Sequence, residues 1–204
     1  MAMEVFRVSG YPVFNWSVVC PKDKAVGEER FRMYRRYYAV KYSIAKMCQP
    51  TSVIEIGVRA GYSAWAFMMA CRPGVPYYGF DAENGTHGGR GGPWTWWARK
   101  LLEGMDVPHR IYAPFNTQEV DRLPEKADFY HVDGDHTERG VYHDLEICFG
   151  DLPIGGHILI DDYDYSEAKD VRIGVNRWLK AYDGFIHWRY LPSLRGEILI
   201  QRTK

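Results

Sequence analysis

Four acids, Glu55, Asp81, Asp133 and Asp161, stand at or near the ends of short apolar runs at 53–56, 77–81, 127–133 and 155–162, each of which reads as a β-strand. In an open parallel sheet the carboxyl ends of the strands share one edge, and ligands bind in the crevice beside it. If the fourth and fifth strands are neighbours, Asp133 and Asp161 start about 4.8 Å apart in backbone terms. Carboxylates that close repel unless a cation or a proton comes between them, and a divalent ion resolves the repulsion. All-oxygen ligation favours magnesium, manganese or calcium over zinc. Asp162 follows Asp161 directly, but consecutive strand residues point opposite ways, so joint ligation requires the chain to turn there. His136 closes the sequence Asp133-Gly134-Asp135-His136. An imidazole with an ordinary pKa of about 6.5 can take a proton at neutral pH, a step worth about 10²- to 10⁴-fold in rate. His131 falls on the same strand face as Asp133 and reads as a packed, hydrogen-bonded histidine.

The first strand runs into Glu55-Ile56-Gly57-Val58-Arg59-Ala60-Gly61-Tyr62-Ser63, and residues 64–70 have helical composition, giving a strand, tight loop and helix. Gly57 and Gly61 permit a close approach of the main chain, and the helix that follows aims its free amides at the same crevice. A dinucleotide site wants G-x-G-x-x-G, whereas this loop spells E-x-G-x-x-x-G. Glu55 would repel a diphosphate at short range but could accept from an ammonium group. Asp81, 20 residues beyond Gly61, ends the second strand, where a carboxylate can accept from both hydroxyls of a ribose.

These stretches resemble the class I S-adenosylmethionine-dependent methyltransferases, and the E-I-G-x-x-x-G-x-S form, the D-G-x-H sequence and the Asp161-Asp162 pair resemble their metal-dependent O-methyltransferase branch, which includes the macrocin and mycinamicin sugar methyltransferases. Arg59 departs from the pattern, standing where many of these enzymes have a middle glycine. The resemblance covers roughly residues 30 to 190. It implies a Rossmann-like α/β fold with a mostly parallel seven-stranded sheet, helices on both faces and a C-terminal antiparallel hairpin. It assigns S-adenosylmethionine to Glu55, Gly57, Gly61, Ser63, Asp81 and Asp133. Magnesium or manganese falls to Asp133, Asp161 and Asp162, and the role of base to His136. Methyl transfer from a sulfonium is an in-line displacement, so such a site must hold the acceptor oxygen on the sulfur–methyl axis and deprotonate it. A small hydroxylated acceptor follows: a sugar of a natural product, a vicinal diol or a catechol.

The elements that must position these groups follow from periodicity. Residues 1–27, with Pro12 and Pro21, read as an irregular arm. From 28 to 47 apolar residues recur at Phe31, Tyr34, Tyr38, Tyr42 and Ala45, the spacing of an amphipathic helix that stops before Pro50. Residues 84–93 are glycine-rich but lack a G-K-[ST] ending, so they read as a mobile loop rather than a phosphate cradle. The tryptophans that follow could close over a ligand. A third strand at 109–113, helices at 138–149 and 171–182, and a hairpin at 185–190 and 198–202 complete one domain spanning 28–204.

The chain has 204 residues, enough for one well-buried core, and its 26 basic and 26 acidic side chains cancel. No nucleic-acid partner is expected from that balance. No run reaches membrane-span length and the N-terminus lacks the order of a secretion signal, which predicts a cytoplasmic protein. Cys20, Cys48, Cys71 and Cys148 are widely spaced and read as reduced. Self-association is open. Two other readings keep the same framework: a metal-dependent hydroxylase-like or hydrolytic enzyme, and a non-catalytic protein that binds an adenosine ligand. A nicotinamide oxidoreductase is disfavoured by Glu55 and by the missing G-x-G.

Overall fold

The computed structural model describes residues 27–85 and 92–204, so the expected arm and most of the glycine-rich loop lie outside the described residues. In chain order the elements are α1 (Gly27–Cys48), β1 (Val53–Ile56), α2 (Tyr62–Ala70), β2 (Tyr77–Phe80), α3 (Thr95–Gly104), β3 (His109–Tyr112), β4 (Phe129–Val132), α4 (Glu138–Asp151), β5 (His157–Ile160), α5 (Lys169–Ala181), β6 (Ile186–Leu191) and β7 (Glu197–Arg202). The seven strands form one sheet in the order β3-β2-β1-β4-β5-β7-β6. Strands β1 to β5 pair in parallel, while β7 inserts antiparallel between β5 and β6. The parallel sheet, the flanking helices and the closing hairpin all match the expected class. So does the adjacency of β4 and β5 on which the repulsion argument rests.

Strand parity sorts the core into two layers, because alternate residues face opposite sides of a sheet. Ile54, Ile56, Tyr130, Val132, Ile158 and Ile160 pack with Val141 and Leu145 of α4 and Val171, Val175 and Trp178 of α5. Val53, Phe129, Leu159 and Leu199 pack on the other side with Ile44 of α1, Phe67 of α2 and Leu102 of α3. The same parity places Glu55, His131, Asp161 and Glu197 on the α1 side. The buried face of α1 runs through Tyr37, Lys41, Tyr42, Ile44 and Ala45, so the expected stripe holds at Tyr42 and Ala45, whereas Tyr34 and Tyr38 are only half-buried.

Both glycines of the loop after β1 are required by this packing. Gly57, at φ +88°, sits where a Cβ would fall on the carbonyl of Asp133. Gly61, at φ +84°, starts α2 against the backbone of Ala98, where a Cβ would approach to 2.9 Å. Among the described residues, no helix is long and apolar enough to cross a membrane. Cys48, Cys71 and Cys148 are free thiols.

Candidate functional site

A cleft of about 560 Å³ opens along the carboxyl edge of the sheet. At one end it is walled by Gly57, Arg59, Asp81, Glu83 and Trp94, and at the other by Asp133, His136, Tyr165 and Arg195. Residues 115–118, in the connection after β3, form a further wall. Of the site residues expected from sequence, Gly57, Asp81, Asp133 and His136 line it. Glu55, Gly61, Ser63, Asp161 and Asp162 are not among its lining residues.

At the glycine-loop end, the carboxylate of Asp81 folds the loops around itself. It accepts from the backbone N–H of Arg59 at 2.7 Å and from that of Glu83 at 2.7 Å. Burial raises its pKa, and these two amides act against the rise. Arg59 and Glu83 both adopt left-handed backbone angles, at φ 47° and 55°. That conformation is uncommon for residues with a Cβ and persists where surrounding contacts fix it. Glu83 in turn accepts from the Thr95 hydroxyl at 2.5 Å, fastening the loop to the start of α3. The guanidinium of Arg59 lies 5.9 Å over the ring of Trp94. Trp94 therefore reaches the cleft, whereas Trp96 is half-exposed outside it.

At the acidic end, Asp133, His136 and Asp162 bring one ligand atom each to within 4.8 Å of one another. His136 Nε2 stands 3.5 Å from Asp133 Oδ1 and 3.6 Å from Asp162 Oδ2. Its pairing with Asp133 outweighs the burial that opposes its charge, and its pKa rises to about 9. Asp162 is almost wholly buried, and burial together with Asp133 pushes its carboxyl up to about 7. Arg195 opposes that rise, donating from Nη1 to both oxygens at 2.9 and 3.1 Å. The guanidinium is steadied by Tyr34 Oη at 2.9 Å and by the ring of Tyr165 at 4.3 Å. The turn required between Asp161 and Asp162 is present, since Asp162 has φ 58° and its N–H donates to Asp161 Oδ1 at 2.9 Å.

That turn sends the two acids in opposite directions. Asp161 points inward and accepts from Lys41 Nζ at 2.8 Å and from the hydroxyl of Tyr37. Lys41 also donates to Glu197 at 2.9 Å and lies 3.0 Å from His131 Nε2. His131 Nδ1 is 2.9 Å from Glu55, which also accepts from Tyr77. A continuous buried chain of polar groups thus runs from β2 through β1, β4 and β5 to β7 beneath α1. Burial and Lys41 oppose a charge on His131, but its bonds to Asp161 and Glu55 raise it to about 9. Lys41 and His131 hold Asp161 ionised against the cost of its burial, well below the usual carboxylate range.

The helix cap after β4 falls to Thr137, whose hydroxyl accepts from Gly140 N–H at 3.0 Å, leaving His136 free of that duty. Trp94 is the one of the three expected tryptophans that lines the cleft, whereas Lys41, Glu83 and Arg195 were not singled out from sequence. Lys41 alone carried a legible signal, a charge on the apolar face of α1; the others depend on contacts distant in the chain.

The family model described as a methyltransferase domain matches residues 54–163, more than half of the chain. No curated protein matches it in sequence. Among solved structures, the O-methyltransferase TomG from Streptomyces achromogenes, involved in tomaymycin synthesis and solved in complex with SAM, has 17% identity and a TM-score of 0.61. The match covers 81% of this chain and 78% of TomG. An O-methyltransferase from Bacillus cereus, in complex with SAH, has 15% identity and a TM-score of 0.60 over 99% of this chain and 89% of its own. The O-methyltransferase NovP has 16% identity and a TM-score of 0.59 over 81% of each chain. At these identities the structural likeness speaks for the fold.

Proposed function

This chain belongs to the methyltransferase domain family, and we propose that it moves a methyl group from S-adenosylmethionine to a hydroxyl of a small acceptor with the help of a divalent cation. The observation that carries this reading is the single cleft joining Asp81 to Asp133 and His136. A nucleoside held at the Asp81 end would leave its sulfonium towards Asp133 and His136, which is the spatial requirement of in-line transfer.

Gly57, Gly61 and Ser63 belong to the loop and helix start that would receive the methionine end, and Asp81 and Glu83 are the carboxylates available to the ribose. Glu55 supports that loop from behind, through His131 and Tyr77, rather than by facing the cleft. The donor atoms of Asp133, His136 and Asp162 suit a cation in their spacing. Asp133 and Asp162 would hold it, and Asp161, bound to Lys41, would fix the turn that aims Asp162 at Asp133 and His136. A divalent ion bound there would lower the acceptor hydroxyl's pKa and fix its position. His136 is the group placed to take the acceptor proton. Asp133 raises the His136 pKa, and a cation held by that carboxylate would weaken the pull and favour the neutral imidazole that a base requires. Arg195 and Tyr165 line the acceptor end, offering a planar cation and a ring to whatever carries the hydroxyl.

Calorimetric titration with S-adenosylhomocysteine, with and without magnesium or manganese, tests the reading. Micromolar binding is expected, followed by methylated product from hydroxylated acceptors and its loss with chelator. No binding in either condition would overturn it; a product heavier by one oxygen instead of one methylene would favour the hydroxylase-like alternative.

A further inference from the structure

One fully buried acid lies outside every role assigned so far. Asp144, on α4, is 0% exposed. Its Oδ1 accepts from the Thr117 hydroxyl at 2.7 Å and from Gln118 Nε2 at 2.9 Å. Its Oδ2 accepts from the backbone N–H of Asp135 over a longer 3.5 Å and lies 2.8 Å from the position a Cβ on Gly134 would take. Thr117 and Gln118 belong to one wall of the cleft, and Gly134 and Asp135 sit between Asp133 and His136 on another. A single carboxylate therefore spans the two loops. Every group it bonds is a donor, a task an ionised carboxylate meets in full because it only accepts.

The neighbours reinforce the same clamp. His143 Nε2 lies 3.0 Å from the carbonyls of Thr117 and of Val120, so α4 grips this connection twice. Asn116 accepts from Gln118 N–H at 3.1 Å and shapes the turn from within. On the other loop, Asp135 accepts from Thr137 N–H at 2.8 Å, and its carboxyl fills the space that a Cβ on Gly140 would need. Burial pushes the Asp144 carboxyl up to about 7, a cost borne at a position with no access to the cleft.

We propose that Asp144 is a positioning residue that locks the 115–118 wall to the Gly134–Asp135 loop, so that the shape of the cleft on one side and the placement of Asp133 and His136 on the other are set together. The inference rests on the cofactor reading above only for its liganded arm. In the unliganded chain, Asp144→Asn turns one oxygen into a donor facing other donors, and amide hydrogen exchange should rise about ten-fold in both 115–120 and 133–137, the scale of one lost hydrogen bond to a charged group. Exchange in β1 and β5 should stay unchanged, which a general loss of stability would not give. Affinity for S-adenosylhomocysteine should fall about ten-fold. Adding Gln118→Glu to Asp144→Asn restores a donor–acceptor match and should recover both readouts. If Asp144→Asn folds poorly, Thr117→Val serves: it alters only one loop, yet should quicken exchange in 133–137. Unchanged exchange, or a rise confined to the altered loop, would overturn the proposal. Failure of the unaltered chain to bind S-adenosylhomocysteine would sink the cofactor reading, while the unliganded exchange would still decide the role of Asp144.

Discussion

Two sets of acids lie within a few residues of each other at the strand ends, and they are treated in opposite ways. Glu55, Asp161 and Glu197 face α1, are fully buried, and are met by Lys41, His131, Tyr37 and Tyr77. Asp81 and Asp133 line the cleft and Asp162 lies buried just behind it, and their partners are backbone amides, His136 and Arg195. The inward set has its counter-charges built in, so it serves the fold. In the outward set Asp133 and Asp162 share one imidazole and one guanidinium, and the upward push of Asp133 on the Asp162 carboxyl is a repulsion that a bound cation would relieve. A one-residue step, from Asp161 to Asp162, separates the two.

The largest expected effect tests the inward set. Lys41→Met strips the ammonium from Asp161 and Glu197 and leaves His131 as the one cation beside three buried carboxylates, and denaturant unfolding should show a loss of about 3–5 kcal/mol. A loss within experimental error would mean that the buried chain is not held by charge. The outward set should respond in the other currency. His136→Gln should slow methyl transfer by about 10²- to 10⁴-fold while unfolding shifts little, and a rate near that of the unaltered protein would remove His136 as base.

Gly57→Ala falls between the two sets, since the added methyl meets the Asp133 carbonyl and the backbone is held at positive φ. A stability cost of about 1–3 kcal/mol is expected, together with weakened S-adenosylhomocysteine binding; a neutral outcome would show that β1 and β4 can separate at their ends. The smallest effect is a pH dependence. His136 has a folded pKa of about 9, above its ordinary value, so its pairing with Asp133 stabilises the cation-free protein fully below the ordinary value of about 6.5 and loses that contribution as pH rises through 9. The melting-temperature gap between the unaltered protein and His136→Gln should therefore narrow between pH 7 and 9. A gap that widens would reverse the assignment.

Much of the architecture was legible because local patterns encode it. Short apolar runs bounded by turns gave the strands, glycines marked the loop after β1, and alternation with helical periods gave the parallel sheet and its hairpin. The short helical turn at Thr117–Glu119 was not read, since three residues carry no period. Of the stripe expected on α1, Tyr42 and Ala45 are buried while Tyr34 and Tyr38 are only half-buried, because the buried face also takes in Lys41 through its partners on and beside β4, β5 and β7.

The sequence by itself determined which strand ends carry acids, where the chain must turn tightly and to which family of domains it belongs, because these are properties of neighbouring residues. Only the tertiary structure decided which acids join the cluster at the cleft and which turn beneath α1. Asp161 and Asp162 are indistinguishable by type and differ by one position, and the direction each takes depends on Lys41, 120 residues away, and Arg195, 33 residues away. Long-range pairing of charges sets that choice, and no local period records it.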